Sequence, residues 1–145
     1  MEFEGQYLSY DDFRTLGGTL DLTPFNLLEF EARRKIDIRT QNRLKDLEKV
    51  PQEVKLCEYK LITTINDYIV ASESIASNGN VASENTDGYS ISYVTADRIS
   101  EISKSKDEEL TNIIREYLLE VIINGEHIMY LGVDNGRKPF YDYKL

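Results

Sequence analysis

A chain of 145 residues that is 41% hydrophobic is the size of one ordinary globular domain, long enough to bury a core without disulfide or metal staples. Its formal net charge of −9 is the reverse of the basic stripe with which a free-standing DNA binder neutralises phosphates. One cysteine, Cys57, and one histidine, His127, exclude an intrachain disulfide and a cysteine-based zinc site, and any Ser-His-Asp or Cys-His triad would have to use His127.

No apolar run approaches the ~18–20 residues that span a bilayer, so no membrane association is expected. Met1-Glu2-Phe3-Glu4 lacks the basic-then-apolar layout of a signal peptide, which leads to the expectation of a cytosolic protein. The mild basic clusters, Arg33-Arg34-Lys35 and Arg137-Lys138, read as a solvated helix face and a solvated tail.

Ser9 before Tyr10-Asp11-Asp12-Phe13 predicts a short helix. Ser9 is its N-cap, Asp12 the return partner, Leu8 and Phe13 a hydrophobic staple, and Gly17-Gly18 the stop. Thr23-Pro24 predicts the second start, with Thr23 as cap, Pro24 at the first helical position and Leu22 stapled to Leu27. Phe25, Leu28, Ala32 and Ile36 then recur at steps of three or four, one apolar face of a helix reaching about Arg39. Residues 40–47 read as a further short helical stretch or a turn. Pro51 opens the third helix, where Val54, Cys57, Leu61, Ile65 and Tyr68 share a face that Ile62 and Ile69 widen. Cys57 falls on this stripe and reads as a buried, inert thiol.

Residues 72–105 are polar and rich in Ser, Asn and Gly, and predict a long loop. Within it Tyr89, Ile91 and Tyr93 alternate with Ser90 and Ser92, the period-two pattern of a strand. A lone strand must pair with something, in its own chain or a neighbour's. Ser105 to Glu108 reads as another capping box, with Asp107, Glu108 and Glu109 in the first turn. Leu110, Ile113, Ile114, Tyr117, Leu118, Val121 and Ile122 follow as the strongest helical stripe, ended by Asn124-Gly125. Ile128-Met129-Tyr130-Leu131 is a short apolar piece before a mixed tail. The expected fold is mainly α: a small bundle of about four helices, a long polar loop carrying a short β-strand or hairpin, and an extended C-terminal tail. Phe25, Leu28, Leu61, Ile65, Ile114, Leu118 and Val121 are the expected core.

Catalytic and ligand patterns fail one by one. No glycine-rich phosphate loop precedes a Lys-Ser or Lys-Thr. A calcium loop around Asn85-Thr86-Asp87-Gly88 would begin at Ser83 and end at Val94, neither a carboxylate. His127 stands beside Glu126, but adjacent residues rarely aim at one target, so a surface or packed histidine is expected. Asp11-Asp12 and Glu108-Glu109 read as helix-start carboxylates. No cofactor, metal or catalytic residue is assigned. The surplus is aromatic: 10 tyrosines and no tryptophan. Tyrosine joins apolar area to a hydrogen-bonding tip and is enriched at interfaces. Arg137, Lys138, Phe140, Tyr141 and Tyr143 therefore have the composition of a docking segment, the alternative being the disordered end that is the default for a terminus.

Tyr7-Leu8-Ser9-Tyr10-Asp11-Asp12-Phe13 followed by Leu16-Gly17-Gly18 resembles the opening of the head–tail connector (head-completion or adaptor) proteins of tailed bacteriophages. The resemblance continues through Phe25, Glu29, Ala32-Arg33, Ile36-Asp37, Thr40, Arg43-Leu44 and the Pro51-Gln52-Glu53-Val54-Lys55 helix start. It then takes in a Ser/Glu/Gly-rich segment, Asp87-Gly88-Tyr89-Ser90-Ile91-Ser92-Tyr93, a final helix and Tyr130-Leu131-Gly132-Val133. It covers about residues 5–133; residues 134–145 have no counterpart in the pattern. It implies a helical connector domain over residues 1–133 with a C-terminal tail at 134–145.

The subunit so implied is a structural virion protein, not an enzyme, made in the bacterial host cytoplasm and ending at the head–tail interface of the virion. Its partners would be itself, in a ring of about a dozen copies, the phage portal protein, and the stopper or tail-completion protein. DNA would pass through the ring's channel without specific binding, and an acidic wall suits that, since it repels phosphates within a Debye length of ~8 Å. Tyr89, Ile91 and Tyr93 would touch a neighbouring subunit or the downstream ring, and Arg137, Lys138, Phe140, Tyr141 and Tyr143 would dock on the portal or another partner. The alternatives are an acidic binding module, such as a DNA mimic or a regulator of a host enzyme, and a small enzyme using His127 with Glu126 or Asp134.

Overall fold

The computed structural model describes residues 3–82 and 88–131, with side chains described at 3–74 and 97–131. In chain order the elements are α1 (Tyr10–Thr15), α2 (Leu22–Thr40), α3 (Gln52–Ala82), α4 (Gly88–Leu118), β1 (Ile122–Ile123) and β2 (Glu126–His127). The expected mainly helical fold is what forms, with four helices among the described residues.

The start of the chain follows its local chemistry closely. Ser9 Oγ accepts from the Asp12 amide at 3.1 Å, and Leu8 and Phe13 on either side of the cap are both fully buried. Past the C-cap Leu16, the Gly18 amide donates to Phe13 O and the Gly17 amide to Arg14 O, the paired bonds of a Schellman end, with Gly17 at φ +108°. Gly18 has a different reason to be glycine: a Cβ there would lie 2.3 Å from the Phe13 ring. That ring is the centre of an aromatic cluster, 4.7 Å from Phe25 and 5.7 Å from Tyr59 between centroids.

α2 begins two residues earlier than Thr23-Pro24 suggests. Asp21 is the N-cap and the Phe25 amide donates to Asp21 O, so Pro24 is the third helical residue. The first four amides of a helix have no partner within it, so the missing N–H costs nothing there either. The earlier start turns Leu27 away from the expected staple and out to solvent. α2 ends on two consecutive left-handed residues, Gln41 (φ 53°) and Asn42 (φ 61°). Residues 41–46 form successive turns, with amides reaching back three residues from Arg43 to Thr40 and from Lys45 to Asn42.

The largest departure from sequence expectation is the segment 72–105. Apart from residues 83–87, which lie outside the described residues, it is helical, shared between α3 and α4. Tyr89, Ile91 and Tyr93 therefore stand in the first turns of α4 and not in a strand, and Ser105 to Glu108 lies inside α4 and not at a helix start. The reason is continuity. Ile99, Ile102, Lys106 and Leu110 are less exposed than their neighbours at steps of three and four, in register with the buried Ile113, Ile114 and Leu118. A helix already nucleated on that stripe extends at one hydrogen bond per residue, while β-branched and aromatic residues cost it only a few tenths of a kcal/mol each. Period-two patterning carries no energy unless a partner strand is present.

The short antiparallel pair lies instead after α4, with Ile122 opposite His127 and Ile123 opposite Glu126. Asn124 (φ 55°) and Gly125 (φ 79°) are both left-handed, as a two-residue type I′ turn requires. Asn124-Gly125 thus joins two strands, and the helix has already ended at Leu118.

The chain divides into two compact units: Met1–Ile62 with Asn112–Leu145, and Thr63–Thr111. The first holds most of the buried apolar side chains, among them Leu8, Phe13, Phe25, Leu28, Ala32, Ile36, Leu44, Val54, Cys57, Leu61, Ile62, Ile114, Leu118 and Ile128. Of the expected core, Val121 is only half-buried and the other six positions are buried. The second is a helix pair from the later part of α3 and the earlier part of α4, where Ile65 and Leu110 are buried and Tyr68 Oη donates to Glu109 Oε1 at 3.0 Å. Gly18→Ala is expected to destabilise the protein by about 1–3 kcal/mol in urea unfolding, because the buried Phe13 ring must move.

A buried carboxyl cluster and candidate assembly surfaces

Polar chemistry in the first unit concentrates at one buried spot between the N-terminal segment, α2 and α3. Glu29 and Glu58 are both 0% exposed, and Asp37, Asn26 and Tyr7 are nearly so. Glu29, Arg33 and Asp37 follow at steps of four on α2. Arg33 Nη2 lies 3.3 Å from Glu29 Oε1, and the Tyr7 amide donates to Glu29 Oε2 at 3.2 Å. Tyr7 Oη donates to Asp37 Oδ1, and Gln6 Nε2 donates to Asn26 Oδ1 at 2.9 Å. Arg33 Nη1 donates to Glu4 O at 2.8 Å, so one guanidinium ties the N-terminal segment to α2.

Glu58 enters this cluster from α3, and neither of its oxygens meets an N–H donor or a hydroxyl. Its neighbour is the Glu29 carboxyl. Burial first, and then the Glu29 charge, hold the Glu58 carboxyl well above the usual carboxylate range. Burial also raises Glu29, against the opposing pull of the Glu58 contact, the Arg33 charge and the Tyr7 amide. Two carboxyls in contact out of water cannot both be ionised, so they hold a proton between them, with Glu58 its stronger keeper. Burial, then Asp37, pushes the Tyr7 phenol far above its ordinary value, and burial does the same to the Cys57 thiol, which is the inert group its place on the stripe implies.

A carboxyl held protonated only in the folded state contributes stability below its unfolded value, about 4.3 for Glu. That contribution is lost as pH rises through the folded value. Glu58→Gln keeps the shape and supplies an N–H donor to Glu29 without needing the proton. Urea titrations between pH 5 and 8 should therefore show the variant gaining on the parent as pH rises, by roughly 1 kcal/mol or more at the alkaline end. A variant whose stability relative to the parent stays constant or falls as pH rises would remove the shared proton from the account.

The second polar hub is Arg43, in the turns after α2. Its Nη1 donates to Ile128 O at 2.8 Å, its Nη2 lies 3.1 Å from Glu126 Oε1, and the guanidinium sits 5.7 Å from the Tyr130 ring centroid. Gln41 Nε2 adds a bond to Leu131 O at 3.1 Å. Together they fasten the hairpin and the segment after it. Glu126 is thereby turned to Arg43, while His127, exposed, faces Leu119 O through Nδ1 at 3.2 Å. The pairing of His127 with Glu126 considered from sequence does not form. Arg43→Ala is expected to cost about 1–3 kcal/mol and to raise amide exchange at Ile128 selectively.

The outer surfaces are the remaining candidates. On α2, Leu27 (58% exposed), Phe30 (48%) and Ile38 (67%) share a face with the exposed Arg34 at steps of three and four. Phe30 is held in place although half-exposed, with the Phe3 ring edge-on at 6.4 Å and the Arg33 guanidinium 5.3 Å above it. On α3, Val70 (57% exposed) stands between the exposed Asp67 and Glu73 at steps of three, beside Ile69. A cleft of about 370 Å³ lined by Lys45, Lys49, Lys55, Asp12 and Glu48 carries both signs of charge, and Lys55 pairs with Asp12 at 3.5 Å.

Of the residues singled out from sequence, Tyr89, Ile91 and Tyr93 lie in α4, at positions whose side chains are not described. Arg137, Lys138, Phe140, Tyr141 and Tyr143 lie outside the described residues, as do Asp134 and the calcium-loop positions Ser83, Asn85 and Asp87. Among the described residues no group of three or more His, Cys, Asp or Glu side chains is placed to hold a metal ion. Compared with models of known protein families, with curated proteins and with solved structures, the chain gives no match.

Proposed function

We propose that this chain is a head–tail connector subunit. It assembles as a ring on the portal of a tailed phage, extends the DNA channel and presents a surface to the stopper or tail-completion protein. The observation that carries this reading is where polar and apolar groups have gone. The unusual carboxyl chemistry is buried and internal to one subunit, while Leu27, Phe30, Ile38 and Val70 are left in water. Three large apolar residues on one helix face go beyond scattered exposure and are what an association surface presents. The mainly helical fold and the ordered sequence pattern over residues 5–133 agree with it.

One observation favours the acidic-module alternative. Asp97, Glu101 and Glu108 are exposed on α4 at helical spacing, and with α4 continuous they have no helix-start role. Arg98 and Lys104 interrupt that row, and a phosphate mimic has no use for Leu27 or Ile38 in water. Stoichiometric inhibition of a nucleic-acid enzyme by the isolated protein would turn the choice the other way.

Negative-stain images of portal-bearing heads from the same phage, with and without the protein, test the connector role. Added ring density at the portal vertex is expected, and bare vertices at saturating protein would overturn it. Deleting residues 134–145 should leave a folded subunit with weakened portal binding. Undiminished binding to purified portal would remove the tail from the docking role.

A further inference from the structure

We propose that copies of this chain join head to tail, the apolar and basic face of α2 on one copy receiving the apolar and acidic face of α3 around Val70 on the next. The proposal rests on the connector reading and names the surfaces through which that ring would close.

The two faces match in chemistry. α2 carries four basic residues, Arg33, Arg34, Lys35 and Arg39, against three acidic ones, Glu29, Glu31 and Asp37. Two of those three carboxyl groups, Glu29 and Asp37, are buried, and Arg33 is committed to Glu29. The outward side is thereby left with the exposed Arg34 among Leu27, Phe30 and Ile38, the half-buried Lys35, the exposed Arg39 and one carboxyl, the half-buried Glu31, so that cations outnumber anions there. The α3 face is its opposite: residues 67–74 contain Asp67 and Glu73 and no basic residue, with Ile69 and Val70 exposed between them. Opposite potentials across an apolar centre steer association and fix register. Phe30, clamped by Phe3 and Arg33, supplies a side chain already ordered before a neighbour arrives, which lowers the entropy cost of binding.

The two patches are different surfaces, on different compact units of the chain. A contact between unlike patches is heterologous. It leaves one of each unsatisfied on any open chain, and it closes as a ring when the rotation permits. A contact of α2 with α2 would be isologous and would stop at two copies.

A charge exchange tests this. One variant carries Arg34→Glu with Lys35→Glu, and the other Asp67→Lys with Glu73→Lys. All four positions lie outside the buried core, and circular dichroism checks that both variants fold. Sedimentation velocity is run on each alone and on the equimolar mixture, with the same proteins added to portal-bearing heads. Each variant alone should self-associate about a hundredfold more weakly than the parent. The mixture should recover to within about tenfold of it, because each reversed face then meets its complement. Ile38→Ser, a smaller change at the apolar centre, should weaken association without altering the charge match. Rings of the parent that tolerate both double variants would overturn this interface and leave the connector role standing. Loss confined to the α2 variant, without recovery on mixing, would replace it with an isologous contact. A parent that associates neither free nor on portal-bearing heads would overturn the connector role and the interface together.

Discussion

The buried meeting of the Glu29 and Glu58 carboxyls, with Arg33 and Tyr7 around Glu29, is the constraint around which the larger unit is arranged. A buried ion pair is a poor source of net stability, since desolvation offsets most of the attraction. Its consequence is register. With Glu29 bonded to Arg33 and the Tyr7 amide, and Tyr7 Oη bonded to Asp37, the N-terminal segment and α2 can meet in one alignment only. Sliding α3 by one turn would carry Glu58 away from the Glu29 carboxyl and the Arg33 charge and leave a buried carboxyl without them. The aromatic cluster of Tyr10, Phe13, Phe25 and Tyr59 could repack at modest cost, but the carboxyl pair could not.

Much of the first 65 residues was legible because each feature there has a local cause. The Ser9 cap, the Gly17-Gly18 end and the α3 stripe depend on neighbours within a few residues; the first two form as read, and the stripe is buried from Val54 to Ile65, with Tyr68 half-buried and Ile69 exposed. The carboxyl cluster was legible in principle. Glu29 sits on the stripe of Phe25, Ala32 and Ile36, and Glu58 on that of Val54, Leu61 and Ile65, each a charge where spacing demands an apolar residue. Such a pair on two helices is the signal of a buried polar contact. Which carboxyl meets which is a tertiary fact that one sequence does not hold.

The segment 88–127 shows the opposite failure. Tyr89, Ile91 and Tyr93 have a strand pattern and stand in a helix, while Asn124-Gly125, between Ile123 and Glu126, looks like a helix stop and makes a hairpin. In both places a correct local signal was set against the wrong competitor. Period-two alternation loses to a helix that arrives already in register from residues 99–118. Asn-Gly serves equally as a C-terminal cap and as a type I′ turn, and the choice falls to whether apolar residues follow it; Ile128 and Met129 do, and both are buried. The candidate surfaces were not legible either, because Leu27 and Ile38 satisfy helical spacing as well outside as inside.

The interior and the proposed interface are linked through α2. A helix with four basic and three acidic residues would be nearly neutral if all seven faced water. Drawing Glu29 and Asp37 inward removes two carboxyl groups from that surface and only one guanidinium, Arg33, in return. Arg34 is then left as a cation among apolar side chains, on a chain whose overall charge is −9. Such a local reversal of sign needs no basic patch in the sequence, where Arg33-Arg34-Lys35 looks like ordinary solvated charge. It arises because the fold consumes the acids of one helix to fix its register, and the face left behind is complementary to the acidic remainder of another copy of the same chain.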